Sequence, residues 1–312
     1  MSKPKVAFYW CASCGGCEET VLDLAEAVLD VVNAVDIVFW PVAMDFKESD
    51  VQAMEDGSIA VAFINGAICN SHQRHMAELL RRKAQTVVAF GACAQLGGIP
   101  GLANMNHHKD LVEAIYGSDA PQESWKSNGY ELTLPRFGDK VQALDRVIAV
   151  EYYVPGCPPT AKITQQAIDA LLSGSPPPKG TVLAPDQALC EDCPRRETRP
   201  EKLLIKEFKR PHEIVADQEK CLLAQGLLCL GPETRSGCEA PCIKGNMPCT
   251  GCFGPTSRVR DFGAKALSAV ASLADSNEES DIERILAPIA DPVGTFYRYS
   301  LPTSLAGGKF TK

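Results

Sequence analysis

Apolar runs alternate with amphipathic stretches through the first half of the chain. The apolar runs predict five strands, over residues 6–10, 36–40, 59–64, 86–90 and 147–154. Apolar positions at helical spacing predict helices over residues 18–30, 71–82, with Ser71 as its cap, and 160–172. Because strands and helices alternate, the pattern predicts an α/β fold in which a parallel sheet has helices on both faces.

The pattern changes at residues 173–180, where serine, glycine and proline give the composition of a linker. We therefore predict one domain over residues 1–175 and a second over residues 176–312. A polar stretch at residues 102–146 is expected to form an irregular insertion in the first domain, with a short helix near residues 110–115. In the second domain, short helices are predicted over residues 261–274 and 282–290, followed by an irregular tail.

Composition narrows the classes of protein to consider. The hydrophobic share of 45% and the charged share of 22% are those of a globular protein. The net charge of −8 argues against a nucleic-acid partner, which would require a basic surface. No apolar run approaches the roughly 20 residues of a membrane span. The first residues show neither a twin-arginine pair nor a cleavable signal pattern, so we expect a cytoplasmic protein.

Cysteine is the exception to this ordinary composition, with 14 residues in the chain. Since cytoplasmic thiols are kept reduced, metal or cluster ligation is favoured over a disulfide framework. The second domain has many of these cysteines and few apolar runs. We therefore expect it to lack a conventional core and to depend on cluster ligation.

The first set of cysteines follows predicted strands. Cys14 and Cys17 come directly after the first strand, Cys93 after the fourth and Cys157 after the fifth. The ends of parallel strands meet at one edge of a sheet, where open α/β folds bind their ligands. Four thiolates at this edge match the ligand set of a 4Fe-4S cluster, and the adjacent glycines would let the backbone approach it.

Three other interpretations of this set are less suitable. A thioredoxin-like redox pair at Cys14 and Cys17 would leave Cys93 and Cys157 without a role. Zinc also binds four thiolates, but structural zinc usually lies in small finger-like loops. A flavin would need a phosphate-binding loop after the first strand, where Cys14 and Cys17 lie.

A second set of cysteines lies beyond the linker. Its eight members, sufficient for two further clusters, are Cys190, Cys193, Cys221, Cys229, Cys238, Cys242, Cys249 and Cys252. Cys193 precedes a proline, a pairing found at ferredoxin clusters. Zinc ribbons at Cys190–Cys193 and Cys249–Cys252 remain an alternative.

Together, the motifs resemble those of a known family. Cys14-x-x-Cys17-Glu18, Gly-x-Cys93-Ala-x-x-Gly-Gly and Pro-Gly-Cys157-Pro-Pro resemble the proximal-cluster motif of nickel–iron hydrogenase small subunits. The same set also resembles a cluster-bearing subunit of respiratory complex I. The hydrogenase resemblance implies a flavodoxin-like first domain and a small, irregular iron–sulfur second domain. It also implies that the nickel–iron centre and catalysis belong to a partner large subunit.

The resemblance also groups the second set, which complex I relatives lack. It implies a distal cluster on Cys190, Cys193, Cys221 and Cys229, and a medial cluster on Cys238, Cys242, Cys249 and Cys252. Many exported family members have histidine at the position of Cys190 and proline near that of Cys242. Cysteine at both positions implies three 4Fe-4S clusters of low potential.

These features are similar to those of the cytoplasmic, methyl-viologen-reducing branch, whose members work with heterodisulfide reductase or flavin-based bifurcating partners. The resemblance therefore implies an electron-transfer subunit whose partners are a hydrogenase large subunit and further iron–sulfur or flavin subunits. The alternatives are an iron–sulfur electron carrier and a complex-I-like subunit, both without hydrogenase activity.

Three residues near the first set have no assigned ligand role. Cys11 precedes Cys14 by one turn and Cys69 is predicted to be a buried small residue; neither is counted as a ligand. Glu18 matches an acidic position near the subunit interface in the family. Alternatively, its carboxylate only favours the start of a helix.

Overall fold

The computed structural model of the chain describes residues 3–117 and 124–305. It divides into two compact units. The first comprises the chain up to Leu183 together with the segment that begins at Leu301, and the second is Ala184–Ser300. Every helix among the described residues is too short or too polar to cross a lipid bilayer.

The unit boundary differs from the boundary predicted at residues 175/176. Tyr153 donates its backbone N–H to Thr181, and Leu183 donates to Tyr153, so residues after the linker still run beside the last strand. The chain also returns to the first unit at Leu301, although the tail was assigned to the second domain. There, Pro302 packs against Gly97 so closely that a Cβ at this glycine would overlap the proline ring.

The strands of the first unit are β1 (Lys5–Trp10), β2 (Asp36–Phe39), β3 (Ile59–Asn65), β4 (Ile68–Asn70), β5 (Ala84–Phe90), β6 (Ser124–Ser127), β7 (Tyr130–Thr133), β8 (Phe137–Gln142) and β9 (Tyr152–Val154). Its helices are α1 (Gly16–Leu22), α2 (Ala27–Ala34), α3 (Glu48–Gln52), α4 (Ser71–Lys83), α5 (Ala92–Leu96), α6 (His108–Tyr116) and α7 (Ala161–Leu172). Short 3-10 helices cover Ile99–Met105, Leu144–Arg146 and Leu301–Thr303.

The main sheet has five parallel strands in the order β2-β1-β3-β5-β9. This is the flavodoxin-like order, and it confirms the predicted α/β class. The central strands are buried on both faces and therefore read as continuous apolar runs. Ile64 of β3 and Val87 of β5 are fully buried and belong to one core with Leu80 of α4.

Two local predictions in the first unit were wrong. The helix expected over residues 18–30 is interrupted between α1 and α2, where Ala25 adopts a left-handed φ of 52°. The cap of α4 is Asn70 rather than Ser71: the Asn70 side chain accepts from the Gln73 N–H at 2.9 Å, and Gln73 reaches back to the Asn70 N–H. This reciprocal pair satisfies two of the free N–H groups at the helix start.

The short helix expected near residues 110–115 is present as α6. The rest of the insertion at residues 102–146 is more regular than expected: its described residues also contain the antiparallel hairpin of β6 and β7, and β8, which pairs antiparallel with β4. The predicted fifth strand is shorter than expected: β9 has only three residues, and the 3-10 helix Leu144–Arg146 precedes it.

The helices of the second unit are α8 (Pro241–Lys244), α9 (Phe262–Ala271), α10 (Glu279–Leu286) and α11 (Pro292–Phe296), with 3-10 helices at Leu189–Glu191, Arg196–Thr198 and Leu223–Gln225. The expectation that this region lacks an apolar core was wrong. Large side chains that are at most 2% exposed include Leu189, Phe208, Leu227, Phe253 and Phe296. They come singly from separate loops and helices, so they do not form runs in the sequence.

Candidate iron–sulfur sites

The first set of cysteines lies at the carboxyl edge of the main sheet. Cys14 and Cys17 follow β1, Cys93 lies in α5 directly after β5, and Cys157 follows β9. The loops before Cys93 and Cys157 are joined, because the Gly91 N–H donates to Val154 O at 2.8 Å. The parallel sheet therefore brings together the strand ends that the sequence predicted.

The thiols of the first set are close enough to interact electrostatically. Burial raises the pKa of the Cys17 thiol, and the neighbouring charges of Cys93, Cys157 and Cys14 raise it further. Burial, with the charges of Cys157 and Cys14, raises the pKa of Cys93 to about 12. Because each thiolate disfavours the ionisation of its neighbours, buried thiols such as Cys17 and Cys93 would resist ionising together without a cation. Bound iron supplies positive charge and removes this penalty, so the donor set fits a cluster.

Glycines leave room around these sulfurs. Gly91 has a φ of +87° and Gly98 a φ of +59°, conformations that favour glycine. A Cβ at Gly91 would overlap the Cys17 Sγ, and one at Gly98 would overlap the Cys93 Sγ. The backbone therefore approaches two candidate ligand sulfurs at positions where a side chain would displace them.

Glu18, next to Cys17, is more than a charge at a helix start. Its side chain is buried and accepts from Trp40 Nε1 at 2.8 Å and from Asn65 Nδ2 at 2.9 Å. Burial raises the pKa of Glu18, and these two hydrogen bonds oppose that shift. Sequence reasoning missed Trp40 and Asn65, which come from the ends of other strands. The one sequence signal for Asn65 is a polar residue that ends an apolar run.

Cys11 and Cys69 lie beside the first set. Burial raises the pKa of Cys11, with contributions from Cys69 and Glu18, and burial raises that of Cys69 to about 11. The charge of Cys69 also contributes to the raised pKa of Cys93, so this thiol is near a candidate ligand. Their exclusion from the ligand set stays a prediction.

In the second unit, the cysteines of the predicted distal set are mutual neighbours. Burial raises the pKa of Cys190 to about 12; Arg199 opposes this shift, and the charges of Cys229, Cys193 and Cys221 add to it. A Cβ built on Gly231 would lie 3.6 Å from the sulfurs of both Cys190 and Cys229.

The predicted medial set occurs as two pairs. Burial raises the pKa of Cys238, with a contribution from Cys242. Burial likewise raises the pKa of Cys249, with contributions from Cys229 and Cys252. That the two pairs together hold one cluster stays a prediction.

No two cysteines of the described residues form a disulfide. Among residues 3–117 and 124–305, no group of three or more His, Cys, Asp or Glu side chains is arranged to hold a single metal ion. A four-iron cluster is larger than one ion, and its cysteine ligands stand further apart than those of a zinc site.

Comparison with known proteins identifies the family. A family model described as NADH ubiquinone oxidoreductase, 20 Kd subunit, matches residues 14–171. The iron-sulfur subunit of the F420-non-reducing hydrogenase of Archaeoglobus profundus is 41% identical over 99% of this chain and 99% of its own length. The corresponding subunit of the F420-non-reducing hydrogenase of Methanothermobacter thermautotrophicus is 37% identical over 99% of this chain and 98% of its own. The chain belongs to this family of hydrogenase subunits.

A solved structure supports the fold. The [NiFeSe] hydrogenase from Desulfovibrio vulgaris Hildenborough is similar with a TM-score of 0.54 and 20% identity, over 82% of this chain and 94% of that chain. Membership in the family confirms the predicted resemblance to nickel–iron hydrogenase small subunits. The chain is therefore a component of an oxidoreductase complex.

Proposed function

We propose that the chain is the electron-transfer small subunit of a nickel–iron hydrogenase, which relays electrons through three 4Fe-4S clusters. The observation that carries the proposal is the convergence of Cys14, Cys17, Cys93 and Cys157 at one edge of the parallel sheet. These four thiols would hold the proximal cluster. The second unit would hold the distal and medial clusters on the two predicted sets of four.

Each bound cluster would accept and release single electrons, and the chain's own residues would position it and set its potential. The Cys249 N–H donates to the Cys229 Sγ at 3.4 Å, and the Arg195 N–H donates to the Cys193 Sγ at 3.4 Å. Hydrogen bonds to ligand sulfurs are among the groups that set a cluster's potential. The contact between Cys249 and Cys229 also joins the two sets of the second unit.

The second unit favours a hydrogenase over a complex-I-like subunit. The match to the 20 Kd subunit family ends at residue 171, before the second unit begins at Ala184. The hydrogenase relatives instead span 99% of the chain. The proposed partners are a large subunit that holds the nickel–iron centre and further iron–sulfur or flavin subunits. A cytoplasmic location stays a prediction from the branch resemblance.

Metal content tests the proposal most directly. Protein purified without oxygen should contain about twelve irons per chain, four for each cubane. Roughly four irons with stoichiometric zinc would instead indicate one cluster and a zinc-bound second unit.

Because the nickel site is assigned to the large subunit, the isolated chain should not reduce viologen with dihydrogen, whereas its complex with that subunit should. Dihydrogen oxidation by the chain alone would contradict the assignment of catalysis to the partner.

The Gly91→Ala variant should lose the proximal cluster. The new Cβ would overlap the Cys17 Sγ, so a ligand sulfur must move. Iron and sulfide analysis should show about four fewer irons per chain. The matched control is Gly57→Ala, because Gly57 also has a positive φ, +71°, but has no atom within 4 Å of a built Cβ. Equal iron content in the two variants would show that the space at Gly91 is not needed for a cluster.

A further inference from the structure

Arg195 is a buried cation in the second unit. Its residue is only 5% exposed, and it lies two positions after the candidate ligand Cys193. Nη1 donates to the carbonyl oxygens of Asp217 at 3.1 Å and Lys220 at 3.2 Å. Nη2 donates to Ile243 O at 3.0 Å and to Asn246 Oδ1 at 2.9 Å. The guanidinium is therefore held at both ends by fixed acceptors.

The acceptors belong to loops that carry cysteines of both sets. Lys220 directly precedes Cys221 of the distal set, and Ile243 directly follows Cys242 of the medial set. A further link comes from Thr198. Its hydroxyl accepts a hydrogen bond from the Cys221 N–H at 2.8 Å and donates one to Arg195 O at 2.9 Å. One residue thus connects the loops of two candidate clusters.

Arg195 has no carboxylate partner among the described residues: each of its side-chain hydrogen bonds goes to a carbonyl or amide oxygen. A second buried arginine of this unit, Arg235, is different, because its Nη2 lies 2.9 Å from Asp186 Oδ1. An unpaired buried charge is costly. A cubane held by four thiolates is anionic, and it gains one more negative charge when it is reduced. Clusters at the neighbouring cysteines would therefore supply the missing counter-charge.

We propose that Arg195 is the counter-charge shared by the distal and medial clusters and that it raises the reduction potential of both. The inference rests on the proposed function, since it needs clusters in the second unit. A fixed positive charge stabilises the more negative, reduced state of each cluster, and the low-dielectric interior strengthens this effect. Arg195 is thus a positioning residue that tunes the relay without binding iron.

The test compares three variants of the complete hydrogenase complex, purified without oxygen. Arg195→Gln removes the positive charge, and Arg195→Lys keeps the charge but replaces the guanidinium by an ammonium group. Arg196→Gln is the control: it removes a neighbouring charge that is half-exposed and paired with Glu191 at 2.9 Å. Iron content is measured first, and the clusters are then titrated with electron paramagnetic resonance as the readout. A unit charge acting over about 10 Å at an effective dielectric of about 20 changes an equilibrium roughly tenfold.

At a fixed potential, Arg195→Gln should lower the ratio of reduced to oxidised cluster roughly tenfold, which is about 59 mV for a one-electron couple. Arg195→Lys and Arg196→Gln should titrate close to the wild type. If Arg195→Gln loses iron while Arg195→Lys keeps both its iron and its potentials, the result also supports the proposal, because the clusters then need a positive charge at this position.

Three results would overturn the inference. These are unchanged potentials in a fully loaded Arg195→Gln protein, equal shifts in the glutamine and lysine variants, and loss of iron in both. The last would assign Arg195 a purely structural role in its loops. A wild-type complex with iron for only one cluster would instead contradict the proposed function.

Discussion

The Cys157→Ala variant should lose the proximal cluster, about four of the twelve expected irons. Cys157 is the last of the first set along the chain, and its charge contributes to the raised pKa of both Cys17 and Cys93, which places it beside them. Without this thiolate a cubane has only three protein ligands. In the complex, dihydrogen-driven reduction of viologen should fall to background, because the resemblance places this cluster next to the nickel–iron centre. Iron analysis and a viologen assay on the same preparation measure both effects.

The matched control for this variant is Cys69→Ala. Cys69 is a partly buried thiol of the same unit that lies near Cys93, yet it is excluded from the ligand set. Its replacement should leave iron content and viologen reduction unchanged. If Cys69→Ala loses four irons and Cys157→Ala keeps them, the proximal ligand set is wrong.

The sequence predicted the first unit well because its signals are local. Strands buried on both faces read as apolar runs, and parallel pairing places their ends at one edge. The positions of four cysteines directly after such runs were therefore enough to predict that they meet at one edge of the sheet. These are Cys14, Cys17, Cys93 and Cys157. β4 was not predicted, because it has only three residues and pairs with β8, which lies in a distant part of the chain.

The signals that failed depend on contacts between distant residues. No glycine or proline marks the interruption at Ala25, and an apolar stripe continues across it. Trp40 and Asn65 reach Glu18 from other strands, and neither lies near it in the sequence. The sequence shows Arg195 as one of two adjacent arginines, and only the fold distinguishes it from the exposed Arg196.

The two units offer different support to their cysteines. In the first, strand ends of an apolar core fix the positions of the candidate ligands, and the loops before Cys93 and Cys157 are hydrogen-bonded to each other. In the second, irregular loops carry the candidate ligands, and side chains such as Arg195 and Thr198 join those loops. We therefore expect a substitution at such a joining residue to affect both proposed clusters of this unit.

The Cys242→Ala variant should convert one 4Fe-4S cluster into a three-iron cluster. Cys242 is exposed and lies in the short helix α8, next to Cys238. Its loss would leave Cys238, Cys249 and Cys252, enough for a three-iron centre. Alanine is a better replacement than proline, because a proline at this position would disfavour the helical conformation of Pro241. Iron should fall from about twelve to about eleven per chain.

Electron paramagnetic resonance of the oxidised variant should show a new three-iron signal that the wild type lacks. The altered cluster should act as an electron sink, so transfer to a low-potential acceptor should slow while chemistry at the nickel site is spared. Cys69→Ala again serves as the control and should show no such signal. A wild type that already has this signal at full occupancy would remove Cys242 from the ligand set. An evenly low-potential relay would then be excluded, and with it coupling of this subunit to a low-potential acceptor.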